Sequence, residues 1–279
     1  MDSVQAAIIS GDAREVGLSV VIPAYNEEHR IRKTLEHAAE YFRQKGDLWK
    51  DYEIIVVCDG CTDATESVAQ SSRRRDANLR VISYPRNRGK GYALRTGVLA
   101  SRGRYVLMMD ADGSTPLVES EALLKPVAAG TSDIAIGSRR IAGARIETAQ
   151  PWHRRLMGVM FGWLMRRILG MPFQDTQCGF KLFDGLAGRR LFRWCECGHF
   201  AIDVELLFRA RKMGLRVVEI GVVWNDVVGS HVSPVRDALK MLGYALWLRS
   251  FGRNARILPA TPSVSSHVSA KVKPFSALH

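Results

Sequence analysis

"LSVVIPAYNEEHRIRKTLEHAAEYFRQKG" (residues 18–46) begins as an apolar strand, breaks at Pro23, and then changes period. From Ile31 onward Leu35, Ala38, Ala39 and Phe42 recur at helical spacing, and Gly46 follows as a stop. A strand (18–22) that gives way at once to an amphipathic helix is half of a βαβ unit. "YEIIVVCDGCTDATESVAQSS" (52–72) repeats the scheme, with a strand over 52–57, a turn at Asp59 and Gly60, and a helix that Thr62 or Asp63 can cap. "LRVISYP" (79–85) reads as a third strand. "NRGKGYALRTGVLAS" (87–101) is a glycine-rich turn entering a helix, and "RYVLMMD" (104–110) is a fourth strand. A helix over 119–129 and a strand at "DIAIGS" (133–138) complete the series. Because these strands are continuously apolar, both of their faces are expected to be covered. The pattern predicts an α/β fold with a doubly wound, mostly parallel sheet.

After residue 140 the rhythm changes. "PWHRRLMGVMFGWLMRRILGM" (151–171), residues 185–194, "AIDVELLFRARKMG" (201–214) and "SPVRDALKMLGYALWLRSFG" (233–252) read as helices, and "RVVEIGVVW" (216–224) as a strand. The expected organisation is an N-terminal extension (1–17) followed by one domain (18–255), whose halves are 18–140 and 141–255. Residues 256–279 read as a disordered tail, because the end of the chain is rich in Ser, Pro and Ala without periodicity.

The first sixteen residues lack a basic segment leading into an apolar core, so no signal peptide is expected. The longest apolar run, "LMGVMFGWLM" (156–165), stops at Arg166 and Arg167, well short of the roughly 20 residues that span a bilayer. A net charge of +12 favours anionic partners. Five cysteines, an odd number, read as reduced thiols in a cytoplasmic setting, including the Cys58/Cys61 and Cys195/Cys197 pairs. No zinc-finger or helix-turn-helix pattern accompanies the basic charge, so nucleic acid is not the expected partner.

In doubly wound sheets, ligands bind beyond the carboxyl ends of the strands. Pro23 to Glu27, Asp59, Asp110 and Asp112 all fall there. "YVLMMDADGST" (105–115) drives a buried strand into two aspartates, a repulsion that a divalent cation such as Mg²⁺ or Mn²⁺ would relieve. The backbone N–H groups and cations of "NRGKGYALRTG" (87–97) suit an anionic group. The stretch is neither a P-loop nor a GxGxxG fingerprint.

Together with "IAIGSRR", "DTQCGFKLF", "FAIDVELLFRA" and "GSHVSP", these segments resemble family 2 glycosyltransferases of the GT-A fold, and among them the dolichyl-phosphate β-glucosyltransferases. The resemblance covers about residues 18–250. It implies a GT-A sheet with acceptor-side helical elements at the C-terminus, and inverting, metal-dependent transfer of a hexose, with UDP-glucose the expected donor. A polyprenyl or dolichyl phosphate is the implied acceptor, and a soluble small molecule is the alternative.

By the same resemblance Pro23, Ala24, Tyr25, Glu27 and Asp59 line the nucleotide site, and Lys90 approaches the diphosphate. Asp110 and Asp112 hold nucleotide and metal, and Asp112 counts as catalytic. Arg139, Arg140, Gln177 and Lys181 serve phosphate or acceptor. Asp203 stands where many inverting members carry a general base. The chain departs from the family in reading "CDGC" (58–61) and "GHFAIDVE" (198–205). Residues 154–167 and 236–249 offer basic, apolar faces for peripheral membrane contact.

Overall fold

The computed structural model describes residues 16–45, 49, 51–148, 152–227 and 234–251. The expected extension up to residue 15, the helix stop at Gly46, most of "GSHVSP" and the tail 256–279 lie outside the described residues. Seven strands form one sheet: β1 (Val16–Ala24), β2 (Tyr52–Asp59), β3 (Leu79–Tyr84), β4 (Gly103–Met108), β5 (Ile134–Ser138), β7 (Lys181–Asp184) and β8 (Val217–Gly221). Their order is β3-β2-β1-β4-β7-β5-β8. All neighbours are parallel except β7, which runs antiparallel to both β4 and β5. A parallel pair, β6 (Arg145–Thr148) and β9 (Val223–Asn225), forms a separate ribbon.

The first half alternates as its sequence reads, with α1 (Ile31–Gln44), α2 (Thr65–Ser72), α3 (Lys90–Ala100) and α4 (Ser120–Ala128) between strands. The second half adds α5 (Trp152–Leu169), α6 (Gly185–Trp194), α7 (Ile202–Lys212) and α8 (Pro234–Phe251). Successive strand residues point to opposite faces. Val21, Val106 and Met108 therefore join Leu94, Phe183, Phe192, Ile202 and Leu207 in one buried cluster. Val20, Ile22 and Leu107 join Ile31, Leu35, Phe42, Ile54 and Leu123 in the other. The sheet is covered on both faces, which is why its strands could afford no polar alternation.

Among the boundaries that differ from the sequence reading, two turn on a proline and a glycine. Strand β1 does not end at Pro23; it continues to Ala24, with Pro23 opposite Val57. Pairing with β4 stops at Val21 and Met108, so the proline, which has no N–H to donate, sits beyond that ladder. "RVVEIGVVW" is two strands rather than one. Gly221 passes so close to Ala144 that an added Cβ would lie 2.5 Å from its backbone nitrogen, and the chain crosses there from the large sheet to the ribbon.

Candidate active site

Strand β4 ends at Met108, and Asp110 and Asp112 follow on the turn. Because β7 runs the other way, its first residue rather than its last reaches this edge, and Lys181 lies opposite both Met108 and Ile136. Lys90 opens α3, and Asp203 lies in the first turn of α7. These four side chains form a continuous chain of opposite charges. Lys90 Nζ lies 2.8 Å from Asp110 Oδ1 and 3.4 Å from Asp203 Oδ2. Asp203 Oδ1 accepts from Lys181 Nζ, which also donates to the Cys178 carbonyl.

Lys181 is fully buried and Asp203 is 5% exposed, whereas Asp110 remains 39% exposed. Burial alone would lower the pKa of Lys90. The carboxylates of Asp110 and Asp203 outweigh it and hold the ammonium well above its ordinary range. Burial likewise opposes charge on Asp110, and Lys90 reverses the sign, leaving the carboxyl below its usual value.

The glycine of "DTQCGF" is required by this arrangement. A Cβ on Gly179 would sit 2.0 Å from Asp110 Oδ2, so a bare backbone is what lets the aspartate lie against the loop. That loop is itself braced. Asp175 takes Arg139 in a two-pronged pair, Nε at 2.7 Å and Nη2 at 3.0 Å, and also accepts from the Arg139 amide. Glu219 on β8 accepts from the amides of Gln174 and Asp175. Burial opposes ionisation of Asp175, and Arg139 overrides it, driving the carboxyl far below its ordinary range.

The remaining expected residues surround this cluster in different roles. Arg140 donates to the carbonyls of Gly158 and Gln174, and the Gln177 side-chain amide meets Met241 on α8. Tyr25 is 37% exposed at the end of β1. Glu27 pairs with Arg30 at 2.6 Å, and its amide donates to Thr65, which laces the turn after β1 to the turn after β2. Pro23 and Ala24 are the last residues of β1. Asp59 is buried and accepts from the amides of Arg88 and Gly89 at 2.7 and 2.8 Å.

One expectation is corrected. The amides of "NRGKG" do not form an open anion cradle, because Asp59 takes those of Arg88 and Gly89, while the Gly198 carbonyl takes those of Gly91 and Tyr92. Lys90 remains, its ammonium turned to Asp110 and Asp203, while the Arg88 guanidinium lies over the Tyr92 ring.

Asp110 and Asp112 supply hard oxygen donors. Asp112 commits one oxygen to the Ser114 amide at 2.9 Å. Among the described residues no group of three or more His, Cys, Asp or Glu could hold a metal. Two carboxylates fit an ion such as Mg²⁺ or Mn²⁺ whose other ligands come from phosphate and water, but not a closed zinc cage. All five cysteines are free thiols.

The sequence reading missed Asp175, Gly179, Gly198 and Glu219. Asp175 and Gly179 stood inside a quoted motif, where their residue types announced nothing. Glu219 and Gly198 act only through strand order and loop packing.

The chain matches the family described as glycosyl transferase family 2 over residues 19–193. It is 38% identical to the human dolichyl-phosphate beta-glucosyltransferase over 245 residues, covering 83% of this chain and 74% of the relative. Its identity to the Dictyostelium discoideum enzyme of the same name is 33% over 232 residues, covering 80% and 71%. In three dimensions it is similar to the Mycobacterium tuberculosis glucosyl-3-phosphoglycerate synthase solved with Mn²⁺ and UDP-glucose. The TM-score is 0.61 at 20% identity, covering 89% of this chain and 83% of that one. With its sheet order, its paired strand-end carboxylates and these relatives, the chain belongs to glycosyl transferase family 2 and is a glycosyltransferase of the GT-A fold.

Proposed function

We propose that the enzyme transfers glucose, with inversion, from UDP-glucose to a polyprenyl phosphate of the dolichyl type. The observation that carries this reading is the clamp on Asp203. Both of its oxygens are engaged by ammonium groups, Lys181 on one and Lys90 on the other, and the carboxylate is only 5% exposed, an arrangement that suits holding two cations in place better than taking a proton from an alcohol. An acceptor phosphate needs no such base, since its second ionisation falls near pH 6 and it arrives as an anion. The relatives named for dolichyl phosphate support the same acceptor.

In the reaction an oxygen of the acceptor phosphate attacks the anomeric carbon from the face opposite the diphosphate. The bond from that carbon to the β-phosphate oxygen breaks, and its electron pair leaves with UDP. Lys90, kept charged by Asp110 and Asp203, meets the negative charge that grows on the leaving group. Asp203 positions the two ammonium groups. The Arg139–Asp175 pair fixes the loop that presents Gly179 and Gln177. Asp110 and Asp112 would hold a divalent cation, which supplies further neutralisation of the diphosphate when bound.

The test is transfer of labelled sugar from UDP-glucose, compared with GDP-mannose, with and without a polyprenyl phosphate in detergent. Label should enter the organic phase from UDP-glucose and only with the lipid present. Binding of UDP-glucose without any labelled lipid would overturn the acceptor and return the question to a soluble one.

A further inference from the structure

Away from the transfer site, where α5, α7 and α8 come together, lies a cavity of about 340 Å³. Four cations line it, Arg167, Arg211, Lys212 and Arg249, together with apolar walls such as Phe208 and Met171, and no carboxylate does. None of the four makes an ion pair among the described residues. Part of this charge has a local explanation. Arg211 donates to the Gly170 carbonyl and Arg249 to the Ile168 carbonyl, capping the end of α5. Each guanidinium has five N–H donors, so most remain available. Arg167 and Lys212 make no such cap; they lie 5.7 and 5.8 Å from the ring centres of Trp163 and Phe208.

The surface leading to this cavity is apolar and exposed. On α5, Met160 is 62% and Trp163 53% exposed, and with Arg167 they fall within about 60° of arc. On α8, Leu239 and Leu246 are 64% and 50% exposed and run down one side to Arg249. Two apolar stripes on packed helices therefore each end in an arginine at the same cavity. Helix α5 contains no Asp or Glu, and the one acid of α8, Asp237, is buried. Large apolar side chains at the surface with cations at one end match a layer in which headgroup phosphates lie beside acyl chains.

We propose that this cavity binds the phosphate of an anionic phospholipid, docking the α5–α8 face on a membrane surface. It is separate from the transfer site. Met241, which touches Gln177, precedes Arg249 by eight residues, or about 12 Å along α8. The inference rests on the lipid-acceptor reading for its purpose, and on the α5–α8 surface alone for its evidence.

The test is co-sedimentation of the full chain with phosphatidylcholine vesicles, with and without phosphatidic acid. Arg167→Gln/Lys212→Gln and Trp163→Ser serve as variants, with stabilisation by UDP confirming that each still folds. Vesicles containing phosphatidic acid should bind the parent chain and neutral vesicles should not. The double variant should bind about 30-fold more weakly, the effect of two basic groups near an anionic leaflet. Trp163→Ser should weaken binding to the same vesicles, and added salt should weaken it further. Equal binding by parent and double variant, or saturable binding of inorganic phosphate with no vesicle binding, would overturn the proposal. Charge-dependent docking without glucosylation of a lipid phosphate leaves this surface standing and removes only the acceptor reading.

Discussion

The contact between Lys181 and Asp203 can be weighed by a double-mutant cycle. Lys181→Met removes a fully buried ammonium from a carboxylate that is 5% exposed. Losing one partner of a buried pair costs about 3–5 kcal/mol, because the other charge is left without compensation. Here Asp203 keeps Lys90 at 3.4 Å, so the lower end, about 3 kcal/mol, is expected. Asp203→Asn keeps a carbonyl oxygen that can still accept from Lys181, which makes its cost smaller, about 2 kcal/mol. At 2–4 °C per kcal/mol for a chain of this size, the single variants should melt roughly 6–12 and 4–8 °C below the parent. Together they should cost well under the sum, about 3 kcal/mol, since the ion pair is lost only once. Thermal unfolding followed by circular dichroism gives all four corners of the cycle, with transfer rates measured in parallel. If the two losses simply add, the pair contributes nothing and the clamp on Asp203 fails as an argument. A pH–rate profile of Asp203→Asn that loses an ionisation seen in the parent would likewise return Asp203 to the role of base.

Asp112→Ala should abolish turnover with little loss of stability, because it removes a like charge near Asp110 at the cost of one turn hydrogen bond to Ser114; melting temperature and metal-dependent transfer are the paired readouts. Gly179→Ala should lower transfer at least tenfold, since its Cβ would lie 2.0 Å from Asp110 and displace that carboxylate; saturation kinetics in metal should show the loss. The Cys61 thiol donates to the Ala24 carbonyl, and a hydrogen bond from Cys58 together with nearby polar groups draws its pKa down to about 7, while the partner thiol is pushed up. Alkylation of Cys61 should therefore accelerate as pH rises through 7, be faster than at any buried cysteine, and be slowed by UDP; a rate that is flat from pH 6 to 8 contradicts the assignment. Asp175 is held ionised by Arg139, so its contribution to stability is present above the ordinary Asp pKa near 4 and is lost as pH falls below it. Acid unfolding of Arg139→Gln should begin at higher pH than that of the parent.

Periodicity made the first half of the sheet legible because parallel strands buried on both faces are largely apolar, as Val20–Ile22 and Ile54–Val57 are. Strand β7 escaped the same reading: four residues beginning with a lysine do not look like the interior of a sheet. Its burial follows only from pairing with β4 and β5, which are distant in sequence. The paired aspartates and Lys90 were readable as residue types at strand and helix ends. That Lys90 would bridge Asp110 to Asp203, 113 positions apart from it, was not, because the contact exists only once α7 is folded against α3. The glycine-rich turn misled for a related reason. Its amides look like an anion site from local sequence, yet distant partners at Asp59 and Gly198 consume them.

The reversed strand also bears on how the polypeptide is completed during synthesis. Strands β1 to β4 can pair as soon as residue 108 has been made, but the far side of β4 has no neighbour until β7 arrives at residues 181–184. Translation at roughly 5–20 residues per second leaves that ladder edge open for about 4 to 15 seconds. Strand β5, made in the meantime, does not close the gap, because it pairs with β7 and β8 and not with β4 among the described residues. Once β5 has been made, the nascent chain carries the far edge of β4 and both edges of β5 unpaired until β7 arrives, and slowed translation between residues 138 and 181 is the condition under which it would be most exposed to aggregation.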